Sequence, residues 1–244
     1  MDFFTKVSRF DEKKKLWVLV GVAFFLRLYL VLTSKGISPD GVEYLRAAKF
    51  FLDGDYYQGF SNVFPPFYPA VISVTSLLVG NLELAGKLVS LFFGTLTVIA
   101  IYAFAKRLFN EEVGFYSALL LTFHPYLAQF SGSVLTESTF TFFGVWNALI
   151  GWKALQSRSW RSMFLVGLFL GVAYLTRPEG IGFVAVFFLW IFFFDGGKFW
   201  INLSQKLSMA VSLLIGTTVF ALPYILFLHE VTGKWILSLK QLRL

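Results

Sequence analysis

Cysteine is absent from this 244-residue chain, and histidine occurs only at positions 124 and 229. Disulfides, thiolate zinc sites and multi-histidine metal centres are thereby excluded, and any metal would need oxygen ligands. Charge is also scarce, at 14% of residues against 57% hydrophobic, a balance far outside that of soluble domains. There is no Gly-rich phosphate loop, no nucleophile elbow, no metalloprotease helix motif and no internal repeat. The first apolar run follows a basic N-terminus, is longer than a signal-peptide core and has no small-residue cleavage site after it, so it is expected to remain as an anchor.

The chain does have long apolar runs, rich in its 31 Phe residues, at 16–33, 66–80, 84–108, 113–129, 134–155, 163–176, 180–194 and 208–228. Crossing the hydrocarbon core takes about 20 helical residues, so 66–80 and the two runs flanking Arg177 are marginal. The excess of 21 Lys and Arg over 14 Asp and Glu gives +7. Most of it sits beside apolar runs, at Lys13-Lys14-Lys15, Lys106-Arg107, Arg158/Arg161 and Lys198/Lys206. That placement reads as orientation signals and excludes a nucleic-acid stripe. With residues 1–15 as a cytoplasmic basic N-terminus, all the basic clusters fall inside only if 66–80 does not cross. The expectation is an all-α polytopic membrane protein, one transmembrane domain over 1–244 with about seven crossings. A first outer loop at 34–65 carries an amphipathic helix, 66–80 is an interfacial or re-entrant helix, and 229–244 starts a further outer loop.

This topology sends Asp40, Glu43, His124, Glu137, Arg177, Glu179, His229 and Glu230 to the outer side. Asp40, Glu43, Arg46 and Lys49 recur at i+3 on one helix face, leaving Val42, Leu45, Phe51 and Leu52 for the membrane. Asp40 and Glu43 admit two readings, a capping box or a carboxylate pair able to serve as general base and to hold a metal or a sugar hydroxyl. Arg27 lies about 9 Å below the outer end of the first helix, by six residues at 1.5 Å each. It either snorkels to the surface or faces an anion, a lipid headgroup or a carboxylate such as Glu137. Glu137 suits a helix N-terminus, whereas Arg177, read as preceding a helix, is disfavoured by the dipole and calls for Glu179, Glu137 or a lipid phosphate nearby. His124, before Pro125, reads as a hydrogen-bonded structural residue or a catalyst, the first being the commoner case.

Taken together, the outer Asp40 and Glu43, the Pro65-Pro66-Phe67-Tyr68-Pro69 segment, Ala105-Lys106-Arg107-Leu108-Phe109, Glu137 and Thr176-Arg177-Pro178-Glu179-Gly180 resemble the GT-C membrane glycosyltransferases. The resemblance is nearest to the protein O-mannosyltransferase and aminoarabinose-transferase-like group and covers nearly the whole chain. It implies a GT-C-like bundle in the plasma or inner membrane, N-terminus cytoplasmic. The implied activity is sugar transfer from a polyprenyl-phosphate donor to an acceptor on the outer face, as in cell-envelope glycosylation. The resemblance makes Asp40 the general base with Glu43 beside it, and Arg177 and Arg27 the donor-phosphate ligands. Glu137, Glu179, His124 and Tyr44 support donor or acceptor. It fixes no cofactor, and a divalent Mg or Mn, if used, would fall to Asp40 and Glu43. Gly41, not a second acid, follows Asp40, and Val63-Phe64 stand where acidic and basic residues often precede the double proline. Members usually continue through further crossings, so a second chain supplying the C-terminal part is the expected partner besides membrane lipids. The alternatives are a non-catalytic or split subunit that binds a lipid-linked sugar, and a transporter, disfavoured because no pair of broken helices lies at mid-membrane.

Overall fold

The computed structural model describes residues 3–193 and 202–242. Lys198 of the last basic cluster and the terminal Arg243-Leu244 lie outside the described residues. The described chain is helical, with no strand among the described residues. Helix α1 (Phe3–Thr33) is followed at one end of the bundle by α2 (Pro39–Leu52), α3 (Tyr56–Phe60) and α4 (Phe67–Val79). Then come α5 (Leu82–Leu108), α6 (Glu111–Phe123), α7 (Pro125–Ser131), α8 (Glu137–Ser157) and α9 (Trp160–Thr176). A 3₁₀ turn (Pro178–Ile181), α10 (Gly182–Phe193), α11 (Leu203–Thr232) and a last 3₁₀ turn (Leu239–Leu242) complete it.

Lys14–Thr33, Leu82–Leu108 and Leu203–Thr232 are long and apolar enough to cross a membrane, and Phe67–Val79, Trp160–Thr176 and Pro178–Phe193 are shorter apolar helices. The starts follow from local chemistry. Asn81, Asn110, Ser159 and Asn202 cap α5, α6, α9 and α11 through their side-chain oxygens. Glu83 lies in the first turn of α5 and Lys106 and Arg107 in its last, complementing the dipole. The apolar run 113–129 is not one helix. Pro125 holds His124 extended at φ −65°, ψ 116°, so α6 ends at Phe123 and α7 restarts at Pro125. At the other end of the sequence α11 continues through His229 and Glu230 to Thr232, and Gly233 at φ 67° stops it. The following loop therefore begins later than residue 229.

Cross-links between helices set their directions. Lys87 Nζ donates to the Ser34 carbonyl at 3.1 Å, tying the start of α5 to the end of α1. Residues 34–81 thus leave and return at the same end of the bundle, and α4, 13 residues or about 20 Å long, stays there. Ser90 Oγ donates to Leu135 O at 3.0 Å and Arg107 Nη2 to Gln156 Oε1 at 2.8 Å, so α5 and α8 run parallel from that end to the opposite one. Helices α9 and α11 run back together. Their contact is backbone to backbone: a Cβ on Gly167 would collide with the Leu213 carbonyl oxygen and one on Gly216 with that of Phe164. Gly167→Leu is therefore expected to cost about 1–3 kcal/mol or more, read as a lowered melting temperature in detergent. An unchanged melting temperature would show that α9 and α11 do not approach this closely.

Candidate active site

Four chain segments deliver polar groups to the end where α1 stops: the start of α2, the start of α8, the end of α9 with its 3₁₀ turn, and the residues after α11. In α2 the N-cap is Ser38, whose Oγ accepts from the Gly41 N–H at 3.0 Å, with Pro39 in the first turn. Asp40 is thus inside the first turn and is not the cap, which corrects the capping-box reading. A serine two residues earlier already satisfies the free amide, and the Asp40 carboxylate is exposed, with no hydrogen bond or ion pair among the described residues. Glu43, half-buried, pairs with Arg46 at 3.3 Å.

The expected face of α2 is only part of its surface. Gly41, Tyr44, Ala47 and Ala48 are buried against the bundle, and Val42 and Leu52 stay exposed. Tyr44 is the centre of the cluster. Its hydroxyl lies 3.2 Å from Thr136 Oγ1, and its ring meets Phe64 at 4.7 Å and Tyr68 at 5.2 Å. Burial pushes the Tyr44 phenol well up from its ordinary value; the Thr136 hydrogen bond opposes this, Glu137 and Asp40 add to it, and Arg177 opposes it. Tyr44 is therefore within electrostatic reach of Asp40, Glu137 and Arg177 together.

Thr136 is the N-cap residue of α8 and Glu137 its first helical residue. Glu137 Oε1 accepts from Arg177 Nη1 at 2.8 Å, while Oε2 is buried with no hydrogen-bond partner. Arg177 also approaches Glu179 Oε2 at 3.6 Å through Nε and sits over the Phe140 ring at 5.8 Å. Arg177 is the C-cap of α9, where a cation suits the dipole, and also the N-cap of the 3₁₀ turn that leads into α10, where it does not, so the expected conflict is present and is offset by the end of α9 and by the two carboxylates. Burial acts to lower its pKa, but attraction and hydrogen bonding to Glu137 outweigh that, and the value is raised. Gly180 lets the 3₁₀ turn fold back onto α9, since a Cβ there would meet Tyr174 N at 2.6 Å.

Arg27 is elsewhere. It is 0% exposed, so it does not snorkel. Its Nε donates to Ser131 Oγ and its Nη1 to the Ala23 carbonyl, both at 3.2 Å, and Glu137 is not its partner. Ser131 Oγ in turn lies 3.1 Å from Ser138 Oγ, which links Arg27 only indirectly to the start of α8. His124 is exposed and caps α7, accepting from Leu127 N–H at Nδ1 at 3.4 Å. His229 stacks on Trp235 at 4.0 Å. Among the described residues no group of three or more His, Asp or Glu could hold a metal ion.

Sequence reasoning missed Lys240. Tyr174 OH donates to Leu237 O at 2.8 Å, Ser238 is buried, and Lys240 Nζ comes over the Phe64 ring at 5.8 Å, one ring away from Tyr44. No local pattern marks this return, because it depends on α11 packing beside α9. Tyr44 itself was legible, four residues after Asp40 on the same helical face.

A bundle with these helix directions and this one-ended polar cluster has relatives. Residues 64–225 match the model of the dolichyl-phosphate-mannose-protein mannosyltransferase family. The chain belongs to that family. With it, the chain belongs to the GT-C superfamily of membrane glycosyltransferases. The fold is similar to that in the structure of the S. cerevisiae protein O-mannosyltransferase Pmt1–Pmt2 complex bound to the sugar donor, with a TM-score of 0.74 and 19% identity. That likeness covers 91% of this chain and 34% of the yeast chain, so this chain spans about a third of its neighbour's length. No curated protein matches in sequence. The matched stretch contains Glu137, Arg177 and Glu179 but begins after α2, so Asp40, Glu43 and Tyr44 lie outside it.

Proposed function

We propose that this protein transfers a sugar from a polyprenyl-phosphate-linked donor to a hydroxyl acceptor on the outer face of the membrane, with Asp40 as general base. The observation that carries this reading is the cluster around Tyr44. An exposed, unpaired carboxylate and a cation anchored by a carboxylate meet at one end of a membrane bundle of this family. The acceptor hydroxyl gives its proton to Asp40 and its oxygen bonds to the anomeric carbon as the bond from that carbon to the phosphate oxygen breaks. The electron pair leaves with the polyprenyl phosphate, whose added charge falls to Arg177. Lys240 offers a second cation.

Glu137 and Glu179 hold the guanidinium from behind, and Tyr44 fixes the start of α2 against Thr136. Glu43, tied to Arg46, stands beside the base; with Asp40 it offers two carboxylates to a divalent Mg or Mn, and no step above needs one. Arg27, wholly buried on neutral partners, braces the α7–α8 junction in this reading and leaves the phosphate to Arg177.

A second reading is a donor-binding subunit that turns over only with a second chain, favoured by the likeness to a Pmt1–Pmt2 complex bound to the sugar donor. The purified chain is to be given polyprenyl-phosphate-linked sugars, and both donor retention and sugar release or transfer measured. Turnover is expected. Retention without turnover would favour the subunit reading, and neither would overturn both.

A further inference from the structure

The opposite end of the bundle carries a second polar feature, unconnected with the reaction. Between α1, where its apolar span begins at Lys14, and the ends of α5 and α8 lies an open groove of about 890 Å³, in the size range of small-molecule sites. Its wall is apolar along Leu16 and Trp17, Trp17 being 63% exposed, and its rim carries Lys106, Arg107, Lys153 and Gln156.

The cations are not equivalent. Lys106 is neutralised by Glu111 at 2.7 Å and also donates to Tyr102. Arg107 is held by the neutral Gln156 at 2.8 Å, and Lys153, one helical turn before Gln156, has no ion pair among the described residues. Two exposed positive charges, unpaired with any carboxylate among the described residues, thus border one apolar groove, and Gln156 orients one of them without cancelling it. Next to it a second depression carries Glu111 and Glu112, which repel an anion. Charge is therefore complementary to an anion only on the Arg107–Lys153 side.

We propose that this groove holds one anionic phospholipid, its phosphate between Arg107 and Lys153 and its acyl chains along Leu16 and Trp17. A guanidinium matches two phosphate oxygens, a lysine adds a point charge, and an indole at this depth suits the headgroup boundary. General attraction of basic residues to a membrane surface would instead depend on charge number and not on position.

The test is native mass spectrometry of the full chain in mild detergent, titrated with phosphatidylglycerol or phosphatidylcholine of identical acyl chains. One phosphatidylglycerol should be retained with about tenfold preference over phosphatidylcholine. Arg107→Gln/Lys153→Gln should abolish that preference. Arg158→Gln/Arg161→Gln, which removes the same charge at the same end but outside the groove, should leave it intact. Melting temperatures of both double variants establish that they fold. Equal loss in the two variants, or equal retention of phosphatidylcholine, would overturn the proposal. So would displacement of the lipid by inorganic phosphate at equal concentration, which would make the ligand a free phosphate.

Discussion

Asp40→Asn should lower sugar transfer about 10²–10⁴-fold, the usual worth of a positioned general base, while donor retention stays as in the parent. The asparagine keeps the shape and cannot accept a proton at working pH. Folding should change by less than about 1 kcal/mol. The carboxylate is exposed and makes no hydrogen bond among the described residues, and the cap of α2 rests on Ser38. This separation of rate from stability is what a capping Asp40 would not have allowed. Parallel assays of initial rate, donor retention and melting temperature make the check, and a variant that turns over at the parental rate removes Asp40 from the chemistry.

Arg177→Ala should lower kcat about 10²–10³-fold, the cost of removing one preorganised charge partner of a developing anion. It should also destabilise the fold, because Glu137 would lose its 2.8 Å partner while its other oxygen is already buried and unpaired. Both side chains are about 30% exposed, at 29% and 31%. Solvent screening therefore limits that cost to about 1–2 kcal/mol. Adding Glu137→Gln removes the stranded charge, so the double variant should regain most of the melting temperature and none of the rate. Arg177→Lys keeps the charge but cannot serve Glu137, Glu179 and a phosphate at once, and should fall between. Recovery of turnover in the double variant would show that Arg177 acts only by holding the fold together.

The charged groups invoked here were readable to different degrees. Asp40 and Glu43 stood out because i, i+3 spacing places them on one face whatever the tertiary structure. Whether Asp40 was a cap was not readable, because Ser38 and Asp40 are both good capping residues and the choice depends on where helical dihedrals begin. Arg177 was expected to need an anion because it precedes a helical turn, which it does; that α9 also ends on it was not readable. Glu137 and Glu179 both meet that need. For Arg27 neither of the two readings describes what is found, a buried cation on a serine and a carbonyl.

Sequence by itself determined that this is a helical membrane bundle and that Asp40, Glu137 and Arg177 belong to one end of it while Lys106 and Arg107 belong to the other. Both follow from local rules, since hydrocarbon accepts long apolar helices and rejects charge, residue by residue. Tertiary structure alone decided which charges meet. The pairing of Arg177 with Glu137, the burial of Arg27, the return of Lys240 to the ring beside Tyr44 and the groove at Arg107 and Lys153 all join segments far apart in the chain. Their distances are set by how closely glycine-lined helices such as α9 and α11 approach, which no periodicity encodes.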